Sequence, residues 1–204
     1  MAKSSKRWLR DHERDPYVRK ARRSKYRSRA AYKLQEIDQR DRLFRPGQLV
    51  VDLGAAPGSW SQYAASRIGP RGRVVAVDLL PMAPVNHVQI IEGDFGDVAI
   101  AARCLEALRG RKADLVISDM APNLSGVRAT DQARSMQLAE LALEFATQVL
   151  APGGDLLLKL FQGSGADEFR KELVEHFQRV IVRKPAASKS ESREFYVLAR
   201  DHKV

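Results

Sequence analysis

The stretch VVDLGAAPGSW, residues 50–60, joins an apolar run to a carboxylate and then to a loop of small residues. The nearly continuous run of valines and leucine predicts a buried strand. Gly54, Ala56 and Gly58 leave the following backbone uncovered, and Pro57 stiffens its path. A loop this bare at the end of a buried strand predicts a site where a flat ligand approaches the backbone closely.

Apolar runs and helical patterns alternate along the chain from residue 46 onward. The predicted strands cover residues 48–53, 73–79, 88–93, 114–119, 154–161, 177–184 and 194–200, and the predicted helices cover 28–41, 60–68, 97–110 and 131–151. This alternation predicts an α/β, Rossmann-like, mostly parallel seven-stranded sheet. The connection at residues 185–193 is too short for a parallel crossover, so the last strand is predicted to be antiparallel.

Length and composition predict one compact core. The chain has 204 residues, of which 44% are hydrophobic, and it contains neither a run of 18 apolar residues nor a secretory signal pattern. We therefore expect a cytoplasmic protein without a membrane partner. No exposed heptad pattern or long edge strand argues for assembly, so a monomer is the simplest expectation. Cys104 is the only cysteine and lies in a helical pattern. A single cysteine predicts no disulfide within the chain. The histidines are scattered at positions 12, 87, 176 and 202 without ligand spacing, so no metal site is predicted.

Positive charge is concentrated at the N-terminus. Residues 1–45 hold 16 Lys or Arg residues against 6 Asp or Glu residues, whereas the remainder is balanced. Trp8, Tyr17, Tyr26 and Tyr32 are interleaved with this charge. Cations that neutralise phosphates, together with aromatic rings that stack on unpaired bases, favour a nucleic-acid partner. A solvated basic tail, or attraction to an anionic membrane surface, is the alternative.

Acidic residues stand at the ends of three successive predicted strands. The carboxyl ends of parallel strands form the ligand edge of such a sheet. Asp78 would accept hydrogen bonds from the ribose hydroxyls of a ligand, and Asp94 from an adenine amino group. Asp52 would lie near a positively charged group of the same ligand. The spacing Gly54-x-x-x-Gly58 lacks the turn that binds a dinucleotide pyrophosphate, which argues against an NAD-dependent oxidoreductase. A nucleoside that carries a cation fits better.

Several motifs together resemble the FtsJ/RrmJ family of ribosomal RNA 2′-O-ribose methyltransferases. They are VVDLGAAPGSWSQYA, VVAVDLLPM, EGDF, SDMAPNLSG, LAPGG, LLLKLFQG and RKPAASKSESREFYVLAR. The resemblance implies a class I methyltransferase fold, S-adenosyl-L-methionine as methyl donor, and a uridine 2′-hydroxyl in large-subunit ribosomal RNA as acceptor. It also implies a catalytic tetrad of Lys33, Asp119, Lys159 and Glu194. Residues 1–45 would then be an RNA-binding arm and helix, and residues 46–204 the methyltransferase domain.

Strand positions support three members of this tetrad without reference to the family. Asp119 and Lys159 lie at or near the ends of parallel strands, and Glu194 begins an antiparallel strand. All three therefore belong to one edge, where we expect Glu194 to lie within reach of Lys159. Lys33 rests on the resemblance alone. Our hypothesis is that Lys159 takes the hydroxyl proton and that Asp119 orients Lys159 and the methyl group. Lys33 and Glu194 would position the ribose.

Three questions stay open at this point. Lys159 could instead be a fixed cation that only steers the hydroxyl, and Trp60 could contact the cofactor or simply pack in the core. The chain could also be a noncatalytic RNA-binding assembly factor. Methylation of a base amino group is disfavoured, because DMAPN lacks an aromatic residue to stack a flipped base. Methylation at carbon 5 needs a cysteine nucleophile, and Cys104 lies away from the strand ends.

Overall fold

The computed structural model describes residues 15–123, 125–189 and 191–203. Trp8, with the rest of residues 1–14, lies outside the described residues, so the predicted role of that part of the basic arm stays a prediction. In chain order the elements are α1 (Pro16–Arg23), α2 (Ala31–Asp41), β1 (Leu49–Leu53), α3 (Ser59–Ile68), β2 (Arg73–Asp78), β3 (Val88–Glu92), α4 (Val98–Leu108), β4 (Ala113–Ser118), α5 (Arg128–Val149), β5 (Leu150–Phe161), α6 (Ala166–His176), β6 (Phe177–Arg183) and β7 (Glu194–His202).

Within the described residues, seven strands form one sheet in the order β3-β2-β1-β4-β5-β7-β6. The pairs from β3 to β5 are parallel, whereas β7 is antiparallel to both β5 and β6. The predicted α/β fold with an antiparallel last strand is therefore confirmed. The order reverses between β1 and β4, which is where open α/β sheets form their ligand crevice.

Side chains that alternate along the strands build a separate core on each face of the sheet. Val51 belongs to the core beneath α4, α5 and α6, and its neighbour Val50 belongs to the core beneath α2 and α3. Cys104 is buried in the first of these cores, as its helical pattern predicted. Burial raises the pKa of this thiol to about 11, which keeps it protonated and unreactive at neutral pH.

Two helices were absent from the sequence-based prediction. α1 begins where the Asp15 side chain accepts a hydrogen bond from the Tyr17 amide (2.8 Å), with Pro16 at its first position. Only Val18 and Ala21 of this helix are buried, so its apolar stripe is too sparse to recognise. α6 does carry a helical signal, because its buried residues Ala166, Phe169 and Leu173 are three and four positions apart.

Part of the basic arm is built into the fold. Tyr32 is 2% exposed and packs against Tyr17 and Tyr26, with ring centroids 5.7 and 5.8 Å away. The expectation that Tyr32 is free to stack on bases is therefore wrong, because its ring fills a small core between α1 and α2.

Neither a membrane-spanning helix nor a metal-binding cluster occurs among the described residues. None of their helices combines the length and the apolar character needed to cross a membrane. No group of three or more His, Cys, Asp or Glu among them could hold a metal ion.

Candidate active site

The loop after β1 is held close to β2 and leaves no room for a side chain at Gly54. The amides of Gly54 and Ala55 donate to the Val77 carbonyl oxygen at 2.9 and 3.1 Å. Gly54 has a φ of 74°, and a Cβ atom there would lie 2.5 Å from Cγ of Met120. A residue other than glycine would therefore be strained in its backbone and would also push Met120 away.

A cleft of about 330 Å³ opens beside this loop, at the carboxyl ends of the parallel strands. Its size falls in the range of small-molecule sites. It brings together five of the predicted site residues, namely Gly54, Ala56, Asp78, Asp94 and Asp119. The other lining residues are Val77, Leu79, Leu80, Gly93, Phe95, Gly96, Met120, Ala121, Asn123, Leu138 and Leu141. We refer to this cleft as the donor cleft.

Two carboxylates of the donor cleft also shape its loops. Asp78 accepts from the Ala56 amide through Oδ2 and from the Leu80 amide through Oδ1, both at 2.8 Å. Asp94 accepts from the Gly96 amide through Oδ1 (2.9 Å). Each acid thus fixes the turn that follows its strand while remaining on the cleft wall.

Asp52 is fully buried beneath the loop and does not line the cleft. Its Oδ2 accepts from the Ser61 hydroxyl (2.6 Å), whereas its Oδ1 is buried without a hydrogen-bond partner among the described residues. Burial raises the pKa of Asp52 to about 7, and the negative charges of Asp119 and Asp78 add to this effect. An uncompensated carboxylate here would be stabilised by a cation bound above it.

The cleft is not lined by Pro57, Gly58 or Trp60. These three residues contact other parts of the protein instead. Arg27 donates to the Pro57 carbonyl oxygen (3.0 Å), and a Cβ on Gly58 would lie 2.7 Å from the Arg27 guanidinium. Trp60 is 2% exposed, donates from Nε1 to the Ala30 carbonyl oxygen (2.8 Å) and packs on Tyr196. Of the two roles that the sequence left open for Trp60, the geometry favours packing.

Lys159 and Asp119 form an ion pair at the edge of the donor cleft. Lys159 Nζ lies 3.0 Å from Asp119 Oδ1 and donates to the Asp119 backbone oxygen at 2.5 Å. The side chain of Lys159 is only 7% exposed. Two acceptors from one residue thus fix the position of the ammonium group, which leaves one N–H direction for another partner.

Lys33 reaches the same edge from α2. Its Nζ lies 2.5 Å from Oε1 of Glu194, the first residue of β7. Burial alone would raise the pKa of Glu194, but the hydrogen bond and the charge of Lys33 outweigh it and lower that pKa. Strand positions alone suggested Lys159 as the neighbour of Glu194. The structure instead shows two ion pairs, Lys159 with Asp119 and Lys33 with Glu194.

Tyr196 links the two ion pairs and was missed in the sequence. Its hydroxyl donates to Asp119 Oδ1 (2.8 Å), and Lys33 Nζ lies 5.8 Å from the centroid of its ring. Burial, followed by the nearby Asp119 and Glu194 carboxylates, raises the pKa of Tyr196 well above its ordinary value, so the hydroxyl remains a donor. The sequence did carry a signal for Tyr196. It lies two residues after Glu194 on the same strand, and residues two apart on a strand share a face.

The arrangement combines a carboxylate-lined cleft with a buried amine at its rim. Asp119 belongs to both, since it lines the cleft and pairs with Lys159. Such a site can bind a nucleoside that carries a cation on one side and can orient or deprotonate a hydroxyl on the other.

Comparisons with known proteins agree with this chemistry. The chain is 58% identical over 196 residues to the ribosomal RNA large subunit methyltransferase E of Alkalilimnicola ehrlichii, covering 96% of this chain and 94% of that protein. It is 56% identical to the protein of the same name from Pseudomonas aeruginosa, covering 98% and 96%.

Solved structures show the same fold. A ribosomal RNA methyltransferase from Plasmodium falciparum is 29% identical, with a TM-score of 0.79 over 87% of this chain and 98% of that one. A Streptococcus mutans methyltransferase, solved in complex with SAH, shares the fold at 15% identity, with a TM-score of 0.54 over 82% of this chain and 95% of that one. Residues 26–202 match the model of the FtsJ-like methyltransferases, and the chain belongs to that family.

Proposed function

We propose that this methyltransferase transfers a methyl group from S-adenosyl-L-methionine to the 2′-hydroxyl of a ribose, that of a uridine in large-subunit ribosomal RNA. Membership of the FtsJ-like family carries the methyltransferase activity and the use of S-adenosyl-L-methionine. The acceptor is supported by the names of relatives that match almost the whole chain. The single structural observation that carries the proposal is Asp119, which lines the donor cleft and holds Lys159 at its rim.

S-adenosyl-L-methionine fits the residues of the donor cleft. Asp78 and Asp94 offer carboxylate oxygens on the cleft wall for ribose hydroxyls and an adenine amino group. The missing Cβ of Gly54 lets a ligand approach the backbone, and the unpartnered Oδ1 of Asp52 lies beneath the same loop. When bound, S-adenosyl-L-methionine supplies an electrophilic methyl group on a positively charged sulfur. Gly58, Pro57 and Trp60 would contribute by holding the loop in place.

Lys159 is the residue that we assign to the acceptor hydroxyl. A ribose hydroxyl is a weak acid, so a base that removes its proton accelerates transfer, by about 10² to 10⁴-fold in typical cases. When Lys159 is a neutral amine, Asp119 Oδ1 and the Asp119 backbone oxygen can take its two N–H bonds. Its lone pair then points in the remaining direction and can accept the hydroxyl proton.

The second ion pair is assigned to positioning. Lys33 and Glu194 are both nearly buried and fixed to one another, so together they offer a rigid pair of groups for the ribose and its neighbouring oxygens. Tyr196 holds Asp119 from the same side. Orienting the acceptor in this way contributes to the rate without any change of protonation.

The wider setting of the enzyme is also part of the proposal. Residues 1–45 would form an RNA-binding arm and helix and residues 46–204 the methyltransferase domain. Among the described arm residues, α1 carries three basic side chains in its last turn. We propose that the enzyme acts as a monomer in the cytoplasm, on RNA within the large ribosomal subunit. A noncatalytic assembly factor is the weaker alternative, because the chain retains both ion pairs and the donor cleft.

The test is a map of ribose methylation across ribosomal RNA from cells with and without the protein. One 2′-O-methyl site should disappear without it. Wild-type protein should restore the site, Lys159→Ala should not, and Lys171→Ala, which changes an exposed lysine on α6, should restore it. An unchanged map would contradict the proposal, and restoration by Lys159→Ala would favour the assembly factor.

A further inference from the structure

A second cavity, of about 240 Å³, lies on the other side of the loop that follows β4. We name it the Phe161 cavity. It is lined by Pro122, Arg128, Asp131, Gln132, Phe161, Glu191 and Arg193. The neighbouring loop residues Asp119, Met120, Ala121 and Asn123 line the donor cleft instead. One short loop therefore separates the two cavities.

The Phe161 cavity adjoins the catalytic lysine. Lys159 and Phe161 are two residues apart on β5 and so project from the same face of the sheet. Lys159 Nζ lies 5.9 Å from the centroid of the Phe161 ring. In the antiparallel register, Phe161 stands opposite Glu194 and Lys159 opposite Tyr196. The ring is thus placed among the residues that we assign to the acceptor ribose.

The walls of the cavity are fixed by hydrogen bonds. Gln132 Nε2 donates to the carbonyl oxygens of Phe161 (3.3 Å) and Ser164 (3.0 Å), which ties α5 to the end of β5. The Asp131 carboxylate accepts from the amide and hydroxyl of Ser125, both at 2.7 Å. These contacts hold the loop after β4 against the first turn of α5, so the cavity is formed before a ligand binds.

The lining groups match a nucleotide. Phe161 offers a half-buried aromatic face, on which a base can stack. Arg128 from α5 and Arg193 from the residue before β7 are both exposed and come from different elements. Two guanidinium groups around one ring suit the two phosphates that flank a nucleotide within an RNA chain. The volume of the cavity lies just below the range of about 300 to 1,000 Å³ for drug-sized ligands. A cavity of this size suits a smaller ligand such as a single base.

The position of the cavity matches the geometry of methyl transfer. Displacement at a methyl carbon requires the acceptor oxygen to approach from the side opposite to the sulfur. Donor and acceptor must then occupy two sides of the catalytic residues. We infer that the Phe161 cavity is the subsite for the acceptor nucleotide, with its base on Phe161 and its flanking phosphates on Arg128 and Arg193. This inference rests on the proposed function.

The test measures binding of unmodified large ribosomal subunits as a function of salt. Arg128→Gln and Arg193→Gln should each weaken binding and reduce the slope of log affinity against log salt by about 0.7 to 1, the range for one phosphate contact. Arg71→Gln changes an exposed arginine in the loop before β2, at the opposite edge of the sheet, and should leave affinity and slope unchanged. Phe161→Leu should weaken binding about 5- to 100-fold without changing the slope. Phe161→Tyr keeps an aromatic ring and should bind subunits as the wild type does.

Separate readouts distinguish the inference from the proposed function. Calorimetry without RNA should give wild-type affinity for S-adenosyl-L-methionine in all of these variants, and thermal melts should confirm that they are folded. If either arginine variant kept the wild-type slope, or if Phe161→Leu bound as tightly as wild type, the subsite would be overturned while methyl transfer by the wild type continued. Absence of methyl transfer by the wild type on any ribosomal RNA would instead contradict the proposed function.

Discussion

Lys33 Nζ lies 2.5 Å from Glu194 Oε1, although Lys33 belongs to a helix that precedes the sheet and Glu194 begins the last strand of the sheet. The two side chains are only 13% and 11% exposed. Two opposite charges that are largely shielded from water are stabilised chiefly by one another. The pair therefore joins α2 to the last strand of the sheet, near the edge where Lys159 and Asp119 also form an ion pair.

Glu194→Gln should lower the free energy of unfolding by about 1 to 3 kcal/mol at pH 7, because Lys33 would be left with a neutral partner. Lys33 holds the pKa of Glu194 below its ordinary value of 4.5. The folded state then binds fewer protons than the unfolded state, so this stabilisation is present above pH 4.5 and is lost as the pH falls through the lower folded pKa. Denaturant titrations from pH 3 to 7 measure the difference.

Glu175→Gln is the matched control, since Glu175 is exposed on α6. Its unfolding free energy should follow that of the wild type at every pH. The double variant Lys33→Met/Glu194→Gln should lose less stability than the sum of the two single losses. Additive losses would show that the pair does not couple α2 to β7.

Asp52→Asn should flatten the dependence of stability on pH. The pKa of Asp52 is raised by burial from 3.8 to about 7. The folded state therefore binds more protons, so the contribution of Asp52 is fully present below pH 3.8 and is lost as the pH rises through about 7. Wild-type protein should lose on the order of 2 to 4 kcal/mol relative to Asp52→Asn between pH 4 and pH 8. Parallel pH profiles for the two proteins would contradict this.

Much of the fold could be predicted from the sequence because buried parallel strands are nearly continuous apolar runs. Residues 50–53 and 114–118 carry this signal clearly, and the short connection before Glu194 fixed the antiparallel direction of β7. α1 could not be predicted, since two buried residues make no stripe. The early start of β5 at Leu150 was also hidden, because Pro152 and Gly153 read as a turn.

The site was predictable only where strand ends determine position. Asp78, Asp94 and Asp119 were placed at the ligand edge, and the structure brings all three to the donor cleft. Trp60 could not be resolved, because a residue on the first turn of a helix can face either the ligand or the core. The partner of Lys33 was equally hidden, since nothing in the sequence sets how α2 lies against β7.

Tyr196→Phe should lower kcat about 10-fold, because Asp119 would lose the hydroxyl that fixes its Oδ1 beside Lys159. The KM for S-adenosyl-L-methionine should change little. Tyr63→Phe is a matched control, because the Tyr63 hydroxyl also donates to an aspartate, Asp38 Oδ2 (2.7 Å), away from the cleft. That variant should lose stability and keep its kcat. Equal kcat values for Tyr196→Phe and wild type would show that Asp119 needs no such support.

Gly54→Ala should weaken the affinity for S-adenosyl-L-methionine. The new Cβ would displace Met120, which lines the donor cleft, and the backbone would be strained at a φ of 74°. Gly110→Ala is the control for strain alone, since Gly110 has a φ of 71° and nothing within 4 Å of the added atom. Both variants should lose about 1 kcal/mol of stability, but only Gly54→Ala should lose affinity in calorimetry. Equal affinities would mean that the cleft tolerates the displaced side chain.

The role of Lys159 is tested most directly by single-turnover methyl transfer to large ribosomal subunits, with both substrates saturating. We expect Lys159→Ala to bind S-adenosyl-L-methionine and subunits as the wild type does, yet to transfer the methyl group at least about 10²-fold more slowly. A Lys159→Ala rate within a few-fold of the wild-type rate would show that Lys159 is not the residue that acts on the acceptor hydroxyl.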